Sequence, residues 1–126
     1  MVEVKNNNSR KGFVYLIGAG PGDPGLITVK GMLALKSCDA VIYDNLVPSE
    51  LIVTLPTNIE RHYVGKKAGR QCCSQDEINQ LMIQLAGDNK SVVRLKGSDP
   101  LIFGRGGEEA KFLRQNNINF EIIPGV

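Results

Sequence analysis

The sequence predicts an α/β fold with a mostly parallel five-stranded sheet flanked by helices, and three observations lead to it. Short apolar, β-branched runs alternate with amphipathic or capped segments along the chain. The runs are apolar on successive residues rather than on every second one, as in strands buried on both faces. Glycine, proline or asparagine closes most of the segments.

Phe13-Val-Tyr-Leu-Ile17, closed by Gly18, is the first strand. Leu26, Val29 and Leu33 recur at helical spacing with Thr28 available as N-cap, and this helix leads into a second strand, Ala40-Val-Ile-Tyr43. Residues 48–55 form a short helix stopped by Pro56, and residues 59–64 a third strand. Ser74-Gln-Asp-Glu77 has the form of a capping box, in which the hydroxyl accepts from the Glu77 amide and the carboxylate accepts from the Ser74 amide. Behind it Ile78, Leu81, Met82, Leu85 and Ala86 share one helical face, ended by Gly87. Residues 91–95 follow as a strand, 108–115 as a helix ended by Asn116-Asn117, and 120–123 as the last strand. Right-handed crossovers between parallel strands restrict such an order to the doubly wound, Rossmann-like class. Residues 1–11, with three successive asparagines beside charges, bury too little to offset ordering and are expected to be a disordered arm. Residues 12–126 are expected to form one domain.

The totals bound the function. A chain of 126 residues, 42% apolar and 22% charged, has room for one hydrophobic core. A net charge of +2 is too small for a surface-wide nucleic-acid footprint, so no nucleic-acid partner is expected. The longest apolar runs are strand-length, against about 20 residues for a membrane span, so no membrane partner is expected either. The polar N-terminus lacks the apolar core of a secretory signal, which favours a cytoplasmic location. Cys38, Cys72 and Cys73 make an odd set, and His62 is the one histidine. That is neither a disulfide framework nor a four-ligand metal site, and Cys38 is expected to pack as a small apolar residue.

In parallel sheets ligands bind beyond the carboxyl ends of the strands. After the first strand comes Gly18-Ala-Gly-Pro-Gly-Asp-Pro-Gly25, with four glycines in eight residues. Asp23 stands where the dinucleotide fingerprint has its third glycine, and two prolines remove amide donors. Both features disfavour a phosphate cradle and suit a phosphate-free cationic nucleoside. Asp44 follows the second strand, where a carboxylate can take ribose hydroxyls in either kind of site. Gly65-Lys-Lys-Ala-Gly-Arg70 follows the third and sets three cations within five residues of a glycine-containing loop, either as a solvated charge run or as a clamp for an anionic substrate. After the fourth strand, Asp99-Pro100 suits the start of a helical turn, and Gly104, Gly106 and Gly107 surround Arg105.

Six blocks carry a resemblance: Gly18-Ala-Gly-Pro-Gly-Asp23, Val41-Ile-Tyr-Asp44 with Leu46-Val47, Val64-Gly-Lys66, Gln75-Asp-Glu-Ile-Asn79, Val93-Arg-Leu-Lys-Gly-Ser-Asp-Pro100 and Phe103-Gly-Arg-Gly-Gly-Glu-Glu109. In this order they resemble the uroporphyrinogen-III C-methyltransferases, a branch of the tetrapyrrole methylases. The first block and Gly-x-Asp-Pro are shared widely among those methylases, while the Gly-Lys loop and Phe-Gly-Arg-Gly-Gly-Glu-Glu point to the branch. The resemblance implies transfer of methyl groups from S-adenosyl-L-methionine to C2 and C7 of uroporphyrinogen III, giving precorrin-2 and S-adenosyl-L-homocysteine. It implies a cofactor site at Pro21, Gly97, Ser98, Asp99 and Ile102, Asp44 as proton acceptor, Lys66 as proton donor, and Arg105 and Glu108 in the substrate pocket. Arg105 then has a catalytic as well as a binding part, through the substrate carboxylates it would hold with Lys66, Lys67 and Arg70. Ser98 departs from the usual glycine of the family. The resemblance further implies a homodimer and a second α/β domain beyond Pro124-Gly-Val126, so the chain alone is expected to be inactive. Three alternatives stand beside it: a dinucleotide-dependent oxidoreductase domain resting on Gly18, Gly20 and Asp44, a non-catalytic scaffold, and a precorrin methyltransferase acting at another ring carbon.

Overall fold

The computed structural model describes residues 12–19, 27–67, 70–71, 74–97 and 105–124. Its strands are β1 (Phe13–Gly18), β2 (Ala40–Tyr43), β3 (Glu60–Tyr63), β4 (Lys66–Lys67), β5 (Arg70–Gln71), β6 (Ser91–Lys96) and β7 (Asn119–Ile123). Its helices are α1 (Val29–Ser37), α2 (Ser49–Val53), α3 (Gln75–Gly87) and α4 (Arg105–Gln115). Five strands form one all-parallel sheet in the order β3-β2-β6-β1-β7, as the two-sided apolar runs predict. β4 and β5 pair antiparallel as a separate ribbon, in the glycine-bounded loop that the sequence had marked only by its charges. The predicted disordered arm and the loop 20–26 lie outside the described residues.

β6 lies between β1 and β2, which separates the sheet from the 3-2-1-4-5-6 order of dinucleotide-binding folds. The chain moves from β1 outward to β2 and β3, then returns to β6 and finally to β7. Right-handed crossovers put helices on opposite faces when the direction reverses, and the two cores show this. On one face Ile17, Val41, Val93 and Leu95 pack with Leu35 of α1 and with Leu51 and Ile52 of α2. On the other face Val14, Leu16, Ile42 and Val92 pack with Ile78, Met82 and Leu85 of α3 and with Ala110 and Leu113 of α4.

Local signals account for most helix ends. Thr28 Oγ1 accepts from the Gly31 amide at 3.0 Å, which starts α1. The capping box of α3 is complete, with Glu77 N to Ser74 Oγ at 3.1 Å and Ser74 N to Glu77 Oε1 at 2.7 Å. Asn89 and Asn117 take the left-handed conformation just past α3 and α4 (φ 63° and 60°), so the turn after α3 is made by Asn89 rather than by Gly87. Two expectations need correction. Val29 and Leu33 are 78% and 66% exposed, and α1 packs instead through Gly31 and Leu35. α4 begins at Arg105, a turn earlier than the apolar pattern alone indicated. Cys38 is buried with Sγ 3.1 Å from Leu35 O, and burial first, then Asp39, pushes its thiol up to about 11. None of the described helices is long and apolar enough to cross a membrane.

Candidate active site

The strand registers bring the carboxyl ends into one row. Gly18 faces Lys96, Tyr43 faces both Leu95 and Tyr63, and Ile17 faces Ile123. The residues leaving these ends are the predicted site segments. Ala19 N donates to Lys96 O at 2.7 Å, so the glycine-rich loop departs beside Gly97. The turn after β2 is fixed by Asp44, whose Oδ1 accepts from Leu46 N at 2.9 Å and whose carbonyl accepts from Val47 N at 3.3 Å.

Two glycines let this turn lie between its neighbours. A Cβ added at Gly97 would meet Leu46 O at 2.5 Å, and one at Gly65 would meet Asn45 N at 2.8 Å. Neither distance occurs for real Cβ atoms, so both positions require the bare backbone. The Asn45-Leu46 step that follows Asp44 thereby lies against Gly65 on one side and Gly97 on the other. The rings of Tyr43 and Tyr63 meet edge to face at 5.5 Å beneath the turn. Val64 N donates to Tyr43 O at 2.8 Å and continues the β2–β3 pairing into the loop.

Of the predicted site residues, Asp44 and Gly97 are therefore brought together. Lys66 enters the β4–β5 ribbon one residue beyond Gly65. Arg105 and Glu108 lie on the first turn of α4, and Glu108 is exposed along a cleft between α3 and α4 that Gln75, Asn79, Lys111 and Phe112 also line. Pro21, Ser98, Asp99 and Ile102 lie outside the described residues.

The sequence reading passed over a charged cluster. The buried polar and charged side chains among the described residues are Asn79, Arg94, Lys96 and Glu109, and all four belong to it. Arg94 and Lys96 alternate on β6 and face α3 and α4, while Val93 and Leu95 face the other way. Glu109 Oε2 accepts from Arg94 Nε at 3.0 Å and from Gln75 Nε2 at 3.1 Å, and Gln75 Nε2 also reaches Asn79 Oδ1 at 3.0 Å. Lys96 Nζ lies 3.1 Å from Glu109 Oε1 but off the hydrogen-bonding direction, which makes the contact an ion pair. Burial would raise the Glu109 pKa, yet Arg94 and Lys96 hold it below the ordinary carboxylate value. Burial lowers that of Lys96, against the pull of Glu109 and, farther off, of Asp44. The missed signal was two cations at alternate positions inside the otherwise apolar run Val92-Val-Arg-Leu-Lys96.

The profile of the family described as tetrapyrrole (corrin/porphyrin) methylases matches residues 13–126. The uroporphyrinogen-III C-methyltransferase of Methanocaldococcus jannaschii is 50% identical over 115 residues, 91% of this chain and 48% of that protein. The siroheme synthase of Actinobacillus pleuropneumoniae is 46% identical over 124 residues, 98% of this chain and 26% of that protein. Among solved structures, the native uroporphyrin III C-methyl transferase of Thermus thermophilus superposes with a TM-score of 0.78 at 46% identity, covering 90% of this chain and 48% of that one. A structure of that enzyme complexed with S-adenyl homocysteine superposes with a TM-score of 0.74 at 44% identity, covering 90% of this chain and 44% of that one. The chain thus spans about half the length of the methyltransferases it matches. The dinucleotide reading of Gly18, Gly20 and Asp44 is not supported: these relatives are methyltransferases or siroheme synthases by name, and the sheet order is not that of a dinucleotide fold. Sheet order, loop positions and relatives agree, and the chain belongs to the tetrapyrrole methylase family.

Proposed function

We propose that the chain is the N-terminal domain of an S-adenosyl-L-methionine-dependent uroporphyrinogen-III C-methyltransferase, which methylates C2 and C7 to give precorrin-2 on the way to siroheme or cobalamin. The observation that carries the reading is the meeting of the segments after β1, β2, β3 and β6 on one edge, with Asn45 and Leu46, next to Asp44, against Gly65 and Gly97. The described part of that edge suits a phosphate-free nucleoside: Leu46 is exposed beside Gly97 and offers apolar surface to a base or a methionine chain. Gly97 supplies backbone without a side chain for close approach.

When bound, S-adenosyl-L-methionine supplies a methyl group from a sulfonium centre. Because the methylated carbons carry no hydrogen, Asp44 accepts the proton that leaves a nitrogen or bridging carbon of the macrocycle after methylation, and Lys66 acts as donor where the ring tautomerises. Arg105 and the cations of the β4–β5 ribbon bind the substrate carboxylates and thereby orient the ring, with Glu108 on the same first turn of α4. A second α/β domain closes the pocket, the assembled protein is a cytoplasmic homodimer, and the isolated chain is inactive. The relatives' names support the methyltransferase reading and its cofactor, and the length this chain spans in them supports a second domain.

The test is anaerobic incubation of the full-length protein with S-adenosyl-L-methionine and uroporphyrinogen III, with the product read by mass spectrometry. A mass gain of two methyl groups is expected. Unchanged tetrapyrrole, or methylation of a later precorrin alone, contradicts the proposal.

A further inference from the structure

Glu109 has no exposed surface, yet it sits on α4 only one residue from the exposed Glu108. A buried carboxylate is tolerated only when it is paired and hydrogen-bonded, and here three elements supply the partners. β6 contributes Arg94 and Lys96, and α3 contributes Gln75, the first residue after its N-cap. An apolar side chain of similar size could join the same elements about as strongly. It would not fix direction, whereas a guanidinium donor and an amide donor converging on one oxygen set both the rotation of α4 about its axis and its shift along it. The cluster also adjoins the carboxyl edge, because Lys96 ends β6 immediately before Gly97 and feels the charge of Asp44.

We propose that Glu109, held by Arg94, Lys96 and Gln75, is a positioning residue for the tetrapyrrole: it sets the height and rotation of the first turn of α4, and so the placement of Arg105 and Glu108 over the carboxyl edge. The proposal rests on the methyltransferase reading above. Glu109 touches neither ligand and acts through its neighbours. The cofactor side is anchored separately, by the bond from Ala19 N to Lys96 O and by the contact of Gly97 with Leu46.

The experiment compares wild type with Glu109→Gln and Gln75→Ala in the full-length protein. Glu109→Gln keeps the shape and removes the charge. It is expected to raise the KM for uroporphyrinogen III about tenfold, while S-adenosyl-L-homocysteine affinity by calorimetry stays within about twofold. Gln75→Ala removes one donor near the surface with little risk to folding, and a KM rise of roughly threefold is expected. A merely structural role would lower stability and weaken both ligands together. An unchanged KM in either folded variant, or a parallel loss of cofactor affinity, overturns the proposal. Should Glu109→Gln fail to fold, Gln75→Ala decides. Should the wild type not methylate uroporphyrinogen III, the functional reading fails and amide exchange in this chain takes over. Selective loss of protection at residues 109–112, whose amides bond the carbonyls of the first turn of α4, in Glu109→Gln with α3 unchanged supports the positioning role, and uniform loss or none overturns it.

Discussion

Asp44 has two tasks that a single substitution separates. Its Oδ1 closes the turn by accepting from Leu46 N, while its charge serves the proposed proton transfer. Asn can accept the same bond but cannot take up a proton, so Asp44→Asn is expected to leave the melting temperature unchanged and to lower turnover about a hundredfold or more. Paired thermal unfolding and single-turnover methylation check this. Glu109 is expected to show itself through pH. Burial opposes its charge, but Arg94 and Lys96 prevail and hold its folded pKa below 4.5. The native chain then binds fewer protons than the unfolded one between the two values. Its contribution is complete above the unfolded pKa and is lost as pH falls through the folded one. Urea titrations of wild type should lose stability more steeply as pH falls below about 5 than those of Glu109→Gln. The place of Asp44, at the carboxyl end of β2, was legible in the sequence because it directly follows the apolar run Ala40-Val-Ile-Tyr43. Glu109 was not, because its burial depends on cations 13 and 15 positions earlier that local pattern cannot pair with it.

Short elements depend on partners supplied from elsewhere. α2 is five residues long, too short to persist on propensity alone. Arg61 of β3 holds its end, with Nη2 donating to Leu55 O at 3.0 Å and Ile52 O at 3.1 Å and Nη1 to Ile59 O at 2.9 Å. Replacing it by methionine is expected to cost about 2 kcal/mol in urea unfolding, and lysine should recover less than half because it lacks the planar fork. The α3 cap is the local counterpart, and Ser74→Ala should cost about 1 kcal/mol by the same measurement. Capping is why α3 was readable in advance: both bonds join residues three positions apart. α1 was readable as a helix through Thr28, but its buried face was not. The side chains of Val29 and Leu33 have the right spacing, and only the docked sheet reveals that Leu35 and Gly31 face it.

Across the whole molecule, polarity is distributed unevenly between the two ends of the sheet. The amino end is closed by exposed or backbone-directed pairs, such as Lys90 with Glu60, and Asp39 Oδ2 accepting from Ser91 N at 2.8 Å. Edge strand β3, Glu-Arg-His-Tyr, carries charges that discourage further pairing. The carboxyl end instead collects the buried charges, while close glycine contacts occur at both ends, Gly12 against Lys90 O at the amino end and Gly65 and Gly97 against the turn after β2 at the carboxyl end. The alternation of elements and the two-sided apolar strands made the parallel sheet legible, but the insertion of β6 between β1 and β2 was not. Strand order depends on which non-local pairings bury most surface, and that is not written in any one segment. The central claim is that the loops of the carboxyl edge form one side of a single cofactor pocket. Hydrogen–deuterium exchange of the full-length protein, with and without S-adenosyl-L-homocysteine, tests it most directly. New protection should fall on peptides covering residues 18–26, 44–47 and 96–104. Protection confined to the amino end of the sheet, or absent from these three segments at saturating ligand, would contradict it.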